Sequence, residues 1–306
     1  MSLLSLIKGR GGQSGFGYAS TAEEVTAGLD LSGKKVLITG VNSGLGQETA
    51  RVLSSRGATI LGAARTLEKA ENACNAFGDD AVPLVCELSE PDSVRACVET
   101  VAAAGHAIDV LICNAGIMAL PERSVVHGQE LQFLTNHIGH FMLVTGLLEQ
   151  LSPRGRVVML SSGAHHWAPK GGIQFDDLSF ESNYTGKTAY GQSKLANLLF
   201  ARSLARRFEG TKQTANAVHP GVIQTNLGRH LPTLMKALAP VATAVAFKSI
   251  PEGAATQCYV ATHPSLANVS GHYFSDCNRS KSSKYARNVE LGDQLWRVSE
   301  EIVAGF

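Results

Sequence analysis

The sequence predicts an α/β fold: a single doubly wound parallel sheet of about seven strands with helices on both faces. Two observations carry that expectation. From residue 34 onward, short apolar runs alternate with helix-like stretches at the spacing of strand–helix–strand units. The runs are continuously apolar rather than alternating, as strands covered on both faces of a parallel sheet must be. No internal repeat, low-complexity tract or linker divides the 306 residues. Residues 34–306 therefore read as one domain behind an N-terminal extension, residues 1–33.

Taken in order, the extension is irregular and glycine-rich (GRGGQSGFGYAS) up to Ser20-Thr21-Ala22-Glu23, whose Ser-x-x-Glu spacing is that of a capping box and starts a short helix. KKVLITG (34–40) reads as the first strand and 44–56 as a helix. ATILGAA (58–64) and AVPLVCEL (81–88) are the next strands, with helices over 66–77 and 91–105. IDVLICNAG (108–116) is the fourth strand, and helical residues follow from about 127 to 150. RVVMLSS (156–162) is the fifth, 163–186 is loop, and 187–208 is a long helix. QTANAVHPG (213–221) is the sixth strand, 226–262 is helical, and SGHYFSD (270–276) is a short seventh strand.

Composition excludes several function classes. With 27 Lys+Arg against 26 Asp+Glu the net charge is +1, which gives no electrostatic case for nucleic acid or an anionic membrane. Cys74, Cys86, Cys97, Cys113, Cys258 and Cys277 form no CxxC pair, so buried reduced thiols are the better reading than a zinc cage or a disulfide framework. The N-terminal MSLLSLIKGRGG has too short an apolar stretch for a secretory signal, and no run of ~18 apolar residues predicts a spanning helix. A cytoplasmic protein is expected, with peripheral membrane contact left open.

Chemistry begins at the first strand's end. Thr39-Gly40-Val41-Asn42-Ser43-Gly44-Leu45-Gly46 joins strand to helix. Glycines there let the chain turn sharply and let a pyrophosphate approach the helix N-terminus, where unpaired N–H groups favour an anion. The spacing is GxxxGxG, which fails the GxxxxGK[ST] phosphate-loop pattern and disfavours a nucleotide triphosphatase. A Rossmann-type, dinucleotide-binding sheet is the expectation. The second strand ends Ala63-Ala64-Arg65-Thr66, with no carboxylate at its tip. Arg65 suits a 2′-phosphate, so NADP(H) is favoured over NAD(H), although Glu68 or a neutral pocket leaves NAD open.

Tyr190 and Lys194 form a YxxxK pair, sharing one helix face at i and i+4, so phenol and ammonium point into one site. A fixed positive charge favours the phenolate and suits the pair to proton exchange with an alcohol or carbonyl oxygen. Tyr184-x-x-Lys187 has the wrong spacing. The glycine loop, Asn114-Ala115-Gly116, Ser161-Ser162, YxxxK and Pro220-Gly221 fall in one order, the strand-end motifs at the carboxyl edges of parallel strands.

In that combination residues 34–276 resemble the short-chain dehydrogenase/reductase family. NHIGHFMLVTGLL, SSGAHHW and AYGQSKLANLLFARSLARR resemble its retinol-dehydrogenase-like branch. SGFGYASTAEEVTAGLDLSGK is similar to that branch's plant chloroplast-envelope and WW-domain-containing members, although this stretch holds no WW domain. The resemblance implies Tyr190 as general acid/base, Lys194 lowering its pKa and binding the nicotinamide ribose, Ser162 holding the substrate oxygen, and Asn136 anchoring a water in a proton relay. It further implies Gly40, Ser43, Gly44, Leu45 and Gly46 around the pyrophosphate, and Asn114, Ala115 and Gly116 along the ribose. Pro220, Gly221, Val222 and Thr225 would face the carboxamide. At the third strand's end, where the family places Asp beside the adenine, stand Glu87 and Leu88. Relatives pair through their long helices, so a homo-oligomer is expected.

The remaining features point less far. His137 and His140 share a helix face and His165-His166 are adjacent, but neither pair makes HExxH or a metal triad, and no metal site is expected. The apolar 231–247 stretch reads as part of a substrate lid over about 226–250, with a membrane-surface role as the competing reading. The expected activity is NADP(H)-dependent interconversion of a small hydrophobic alcohol and its aldehyde or ketone. The rival class is an NADP(H)-binding regulatory or scaffold protein without turnover.

Overall fold

The structure, a computed structural model, describes residues 7–9, 11–223 and 247–306. Helix α1 (Ala22–Val25) leads into β1 (Lys35–Thr39), α2 (Gly44–Ser55), β2 (Thr59–Ala64), α3 (Leu67–Cys74), β3 (Val82–Val85), α4 (Pro91–Ala103) and β4 (Ile108–Cys113). A small ribbon, β5 (Val125–Val126) and β6 (Gln129–Glu130), precedes α5 (Leu131–Phe133), a π-helical turn (Leu134–Ile138) and α6 (Gly139–Gly146). Then come β7 (Leu151–Leu160), α7 (Gly186–Arg207), β8 (Thr214–His219), α8 (Ile250–Thr262), β9 (Tyr273–Ser275), β10 (Asn278–Arg279) and α9 (Val289–Ala304).

The main sheet runs β3-β2-β1-β4-β7-β8-β9-β10. Seven strands are parallel, and only the two-residue β10 is antiparallel, paired to β9. The expected doubly wound sheet of about seven strands is what forms. Its order reverses between β1 and β4, which opens a crevice at their carboxyl ends. Strand side chains alternate between two cores: Leu37 and Leu61 join Phe133, Leu198 and Trp296 on one face. Val36, Ile38 and Ile60 join Val52 and Val260 on the other. Each such side chain contributes about 1.5–3 kcal/mol on burial, so the strand ends that carry the site stand on a rigid base.

Three local expectations need correction. The first helix starts one residue late: Thr21, not Ser20, is the cap, with Glu24 closing the box. The Ser20 hydroxyl is already engaged by the Gly17 N–H. Residues 127–130, expected as helix, belong to the β5–β6 ribbon, whose two turn residues His127 and Gly128 both have positive φ. Helix begins only at Leu131, where the Glu130 carboxylate accepts from the Phe133 N–H (2.9 Å) and serves as cap. Beyond the expected strands lies α9, amphipathic through Gly292, Leu295, Trp296 and Ser299, which covers α7 and the π-helical turn. Of the helix expected over 226–262, residues 250–262 form α8, opened by a Ser249/Glu252 capping box, whereas residues 247–249 are not helical and Lys248 instead bridges to Ile223. Thr225 and lid residues 226–246 lie outside the described residues.

No helix among the described residues is long and apolar enough to cross a membrane. Nor do His, Cys, Asp and Glu gather there into a group that could hold a metal.

Candidate active site

The crevice is built from strand ends. Gly40 leaves β1 at φ +74°, and a Cβ there would sit 3.1 Å from that of Ala115. A Cβ on Gly46 would overlap the Gly40 carbonyl oxygen, so the loop closes onto α2 only with glycine at that position. Ser43 caps α2 in an extended conformation without a side-chain capping bond, and no acidic residue occupies the first turn. The amides of a twelve-residue helix are thus left for an anion. Leu45 packs into the core beneath them.

Across the crevice, Asn114, Ala115 and Gly116 follow β4. Thr39 Oγ1 accepts from the Asn114 and Ala115 N–H groups (2.9 and 3.0 Å), and Asn114 Nδ2 donates to the Thr39 carbonyl (2.8 Å). With both lone pairs used, the Thr39 hydroxyl proton is left for His140 Nε2, 2.9 Å away. His140 Nδ1–H then donates to the Asn136 carbonyl (2.9 Å). This chain of bonds links the two loops to the π-helical turn. Burial holds the His140 ring down to about 4, so at neutral pH it is uncharged and able to accept. The sequence places Thr39 in the loop and His140 on a helix but does not pair them. A hydroxyl residue ending the first strand was the available signal for one, and only the fold brings the other to it.

Asn136 lies in the π-helical turn, a device that frees backbone groups and re-aims side chains at functional sites. Its carboxamide accepts from Ile117 N–H and donates to the Ile117 carbonyl, both at 2.9 Å, and also reaches Ser193 Oγ (2.9 Å). Gly116 passes so close that a Cβ would stand 2.9 Å from Asn136 Oδ1 and 3.4 Å from Lys194 Nζ. These contacts bring Asn136, Gly116 and Lys194 together.

Ser162 follows β7, its hydroxyl accepting from Ala164 N–H (3.1 Å) as the chain enters a 3₁₀ turn, Gly163–Trp167. Tyr190 and Lys194 project from α7, whose cap Thr185 accepts from Thr188 N–H. Lys194 Nζ donates to the Leu160 carbonyl (3.0 Å), and Ser161 Oγ donates to the Lys194 carbonyl (2.7 Å), so strand and helix are bolted together beneath the site. Lys194 Nζ stands 5.7 Å from the centre of the Tyr190 ring. Burial pushes the Tyr190 phenol up to about 12, with the Ser162 hydroxyl pulling the other way. Burial likewise brings the Lys194 ammonium down to about 8.

The outer expected residues are arranged less tightly. Arg65 is 63% exposed, with Nε 3.9 Å from Glu87 Oε2, while Glu87 Oε1 accepts from Ser89 Oγ (3.0 Å). The Leu88 side chain is turned into the core. Pro220 and Gly221 (φ +93°) follow β8, and Val222 is 58% exposed.

Residues 34–174 match the family described as short chain dehydrogenase. The chain is 42% identical over 317 residues to short-chain dehydrogenase TIC 32 B, chloroplastic, of Brassica napus, with 99% of each chain covered. It is 42% identical over 288 residues to retinol dehydrogenase 12 of Mus musculus, covering 91% of this chain and 89% of that one. The chain belongs to the short-chain dehydrogenase/reductase family. Within the family it is retinol-dehydrogenase-like, and it is an oxidoreductase acting on CH–OH donors. Among solved structures, an uncharacterized protein from Mycobacterium paratuberculosis matches with a TM-score of 0.75 at 33% identity, over 92% of this chain and 97% of that one. The short-chain dehydrogenase fold binds NAD(P), and the residues here fit such a group: the side-chain-free cradle of Gly40 and Gly46 and the uncapped first turn of α2 suit a pyrophosphate.

Proposed function

We propose that this short-chain dehydrogenase is NADP(H)-dependent and interconverts a hydrophobic alcohol with its aldehyde or ketone, with Tyr190 as general acid/base. The observation that carries this reading is the convergence of three groups at the carboxyl edge of the sheet: Ser162 after β7, and Tyr190 and Lys194 on α7, with Lys194 Nζ 5.7 Å from the Tyr190 ring centre. When bound, the dinucleotide supplies or accepts the hydride. Ser162 and Tyr190 hold the substrate oxygen and stabilise its charge. In carbonyl reduction the Tyr190 phenol donates its proton to that oxygen, and in alcohol oxidation the phenolate takes it back. Lys194 would bind the nicotinamide ribose, and Asn136 would anchor the water that passes protons onward.

Residues next to the strand ends support an apolar substrate: exposed Val222 follows Pro220–Gly221, exposed Trp167 ends the turn after Ser162, and Ile117, Met118 and Leu120 are half-buried after β4. Arg65 supports NADP(H) as the binder of a 2′-phosphate. A second reading, NAD(H), draws on Glu87, whose carboxylate beside Arg65 offsets part of that charge. The proposed cytoplasmic setting rests on six buried free cysteines. An oligomer would have to form on faces other than the one α9 covers on α7.

The test is NADPH oxidation across a panel of aldehydes and ketones, with Tyr190→Phe as control. Turnover of apolar carbonyls by the natural chain, lowered at least ~100-fold in the variant, is expected. Turnover that survives the substitution would remove Tyr190 from its role.

A further inference from the structure

A buried lysine that the chemistry above does not use lies beneath the end of β8. Lys248 is 2% exposed, and its ammonium meets Asp276 Oδ1 at 2.6 Å. Its backbone N–H donates to the Val222 carbonyl (2.9 Å), and Ile223 and Lys248 form a parallel bridge. Its stem then runs past Gly221 on the side where a Cβ would be: such an atom would lie 2.7 Å from Lys248 Cδ and 3.0 Å from Cε. Gly221 thus lacks a side chain both for its φ of +93° and to let this lysine through. Main chain and side chain of one residue together set where Pro220–Gly221–Val222 stands.

The far end of the stem is held with equal care. Asp276 and Cys277 make the two-residue turn between β9 and β10 with φ of +51° and +60°, left-handed values that a hairpin turn of this length requires and that Asp adopts more readily than Cys. The turn is pinned from outside by the N-terminal extension. Ser14 N–H donates to Asn278 Oδ1 and Asn278 Nδ2 donates to the Phe16 carbonyl, both at 2.8 Å. Phe16 packs edge-on against Tyr259 of α8. Two residues on, the Tyr18 ring lies 4.6 Å from Lys248 Nζ, within cation–π range. A charge this buried needs such compensation, and here a carboxylate and an aromatic face supply it.

We propose that Lys248 is a positioning residue for the nicotinamide half of the dinucleotide site, locked in place by Asp276 and by Tyr18 of the N-terminal extension. The proposal rests on the dinucleotide reading above. Its reach is local: β8 is four strand positions from β2, roughly 19 Å at the usual strand spacing. The adenine-side residues Arg65 and Glu87 therefore lie outside its influence.

That separation supplies the test. Equilibrium binding of NADPH and of its nicotinamide-free fragment, 2′-phospho-ADP-ribose, is measured on the full chain and on Lys248→Ala. NADPH affinity is expected to fall about tenfold while the fragment stays within about twofold. Tyr18→Leu, which keeps the ion pair but removes the ring, is expected to show the same selectivity with a smaller loss, and it decides the matter if Lys248→Ala does not fold. Equal weakening of both ligands, or unchanged NADPH binding, overturns the proposal. A natural chain that binds neither ligand overturns the cofactor reading and this inference with it.

Discussion

Acid should strike this enzyme through its site helix. His137 and His140 are fully buried, and burial holds their rings down to about 3 and about 4, from an unfolded value near ~6.5. The sign follows directly. Above ~6.5 both states carry neutral rings and nothing is lost; as the pH falls below it the unfolded chain takes up protons that the folded chain refuses, so stability drops. Between pH 6.5 and pH 5 the loss is about 2 kcal/mol per ring at ~1.36 kcal/mol per unit, or ~4 kcal/mol for the pair. That is a large part of a total of ~5–15 kcal/mol. The assay is urea unfolding at pH 7 and pH 5, followed by circular dichroism, for the natural chain and for His137→Gln/His140→Gln. The natural chain should lose about 4 kcal/mol more than the double variant over that interval. An identical pH dependence in the two would refute the reasoning. Protonation of His140 in the folded chain removes the acceptor for the Thr39 hydroxyl, so cofactor binding should weaken only as the pH nears about 4.

Other outcomes are open to simpler measurements. Arg65→Ala should raise the NADPH dissociation constant ~10-fold or more and leave NADH unaffected, as read by nucleotide fluorescence. Gly46→Ala, whose Cβ would overlap the Gly40 carbonyl and come 2.6 Å from Asn114 Nδ2, should abolish NADPH binding and cost ~1–3 kcal/mol in denaturant titration. Trp296→Ala should cost about 3–5 kcal/mol, because the ring packs on Phe141 and Phe200 (5.0 and 5.4 Å between centres) and under the Arg207 guanidinium.

Much of the architecture was legible because parallel strands advertise themselves. VLIT after Lys35, LGAA after Ile60 and VVML after Arg156 are apolar without a break, and each ends in residues of the site. Ser162, Tyr190 and Lys194 were readable for the same reason, since strand order and helix periodicity bring them together. What stayed hidden depends on contacts between distant segments. Nothing local marks the π-helical turn at Leu134–Ile138, because its unusual bonding is stabilised by Ile117 and by His140. Residues 127–130 resemble a helix start in composition, yet a left-handed His127 turns them into a ribbon. Lys248 reads as an ordinary surface residue until Gly221, Asp276 and Tyr18 enclose it. The phenol's raised pKa is likewise a consequence of enclosure that a pair of letters four apart does not reveal.

The clasp formed by α9 bears on what keeps the reacting groups aligned. Trp296 packs on Phe200 of α7, and Ser299 Oγ meets His137 Nε2 of the π-helical turn at 2.9 Å. One amphipathic helix thus braces both elements that carry the site, although it contributes no reacting group of its own. Loosening it would leave every such group in place and remove the buttress behind them.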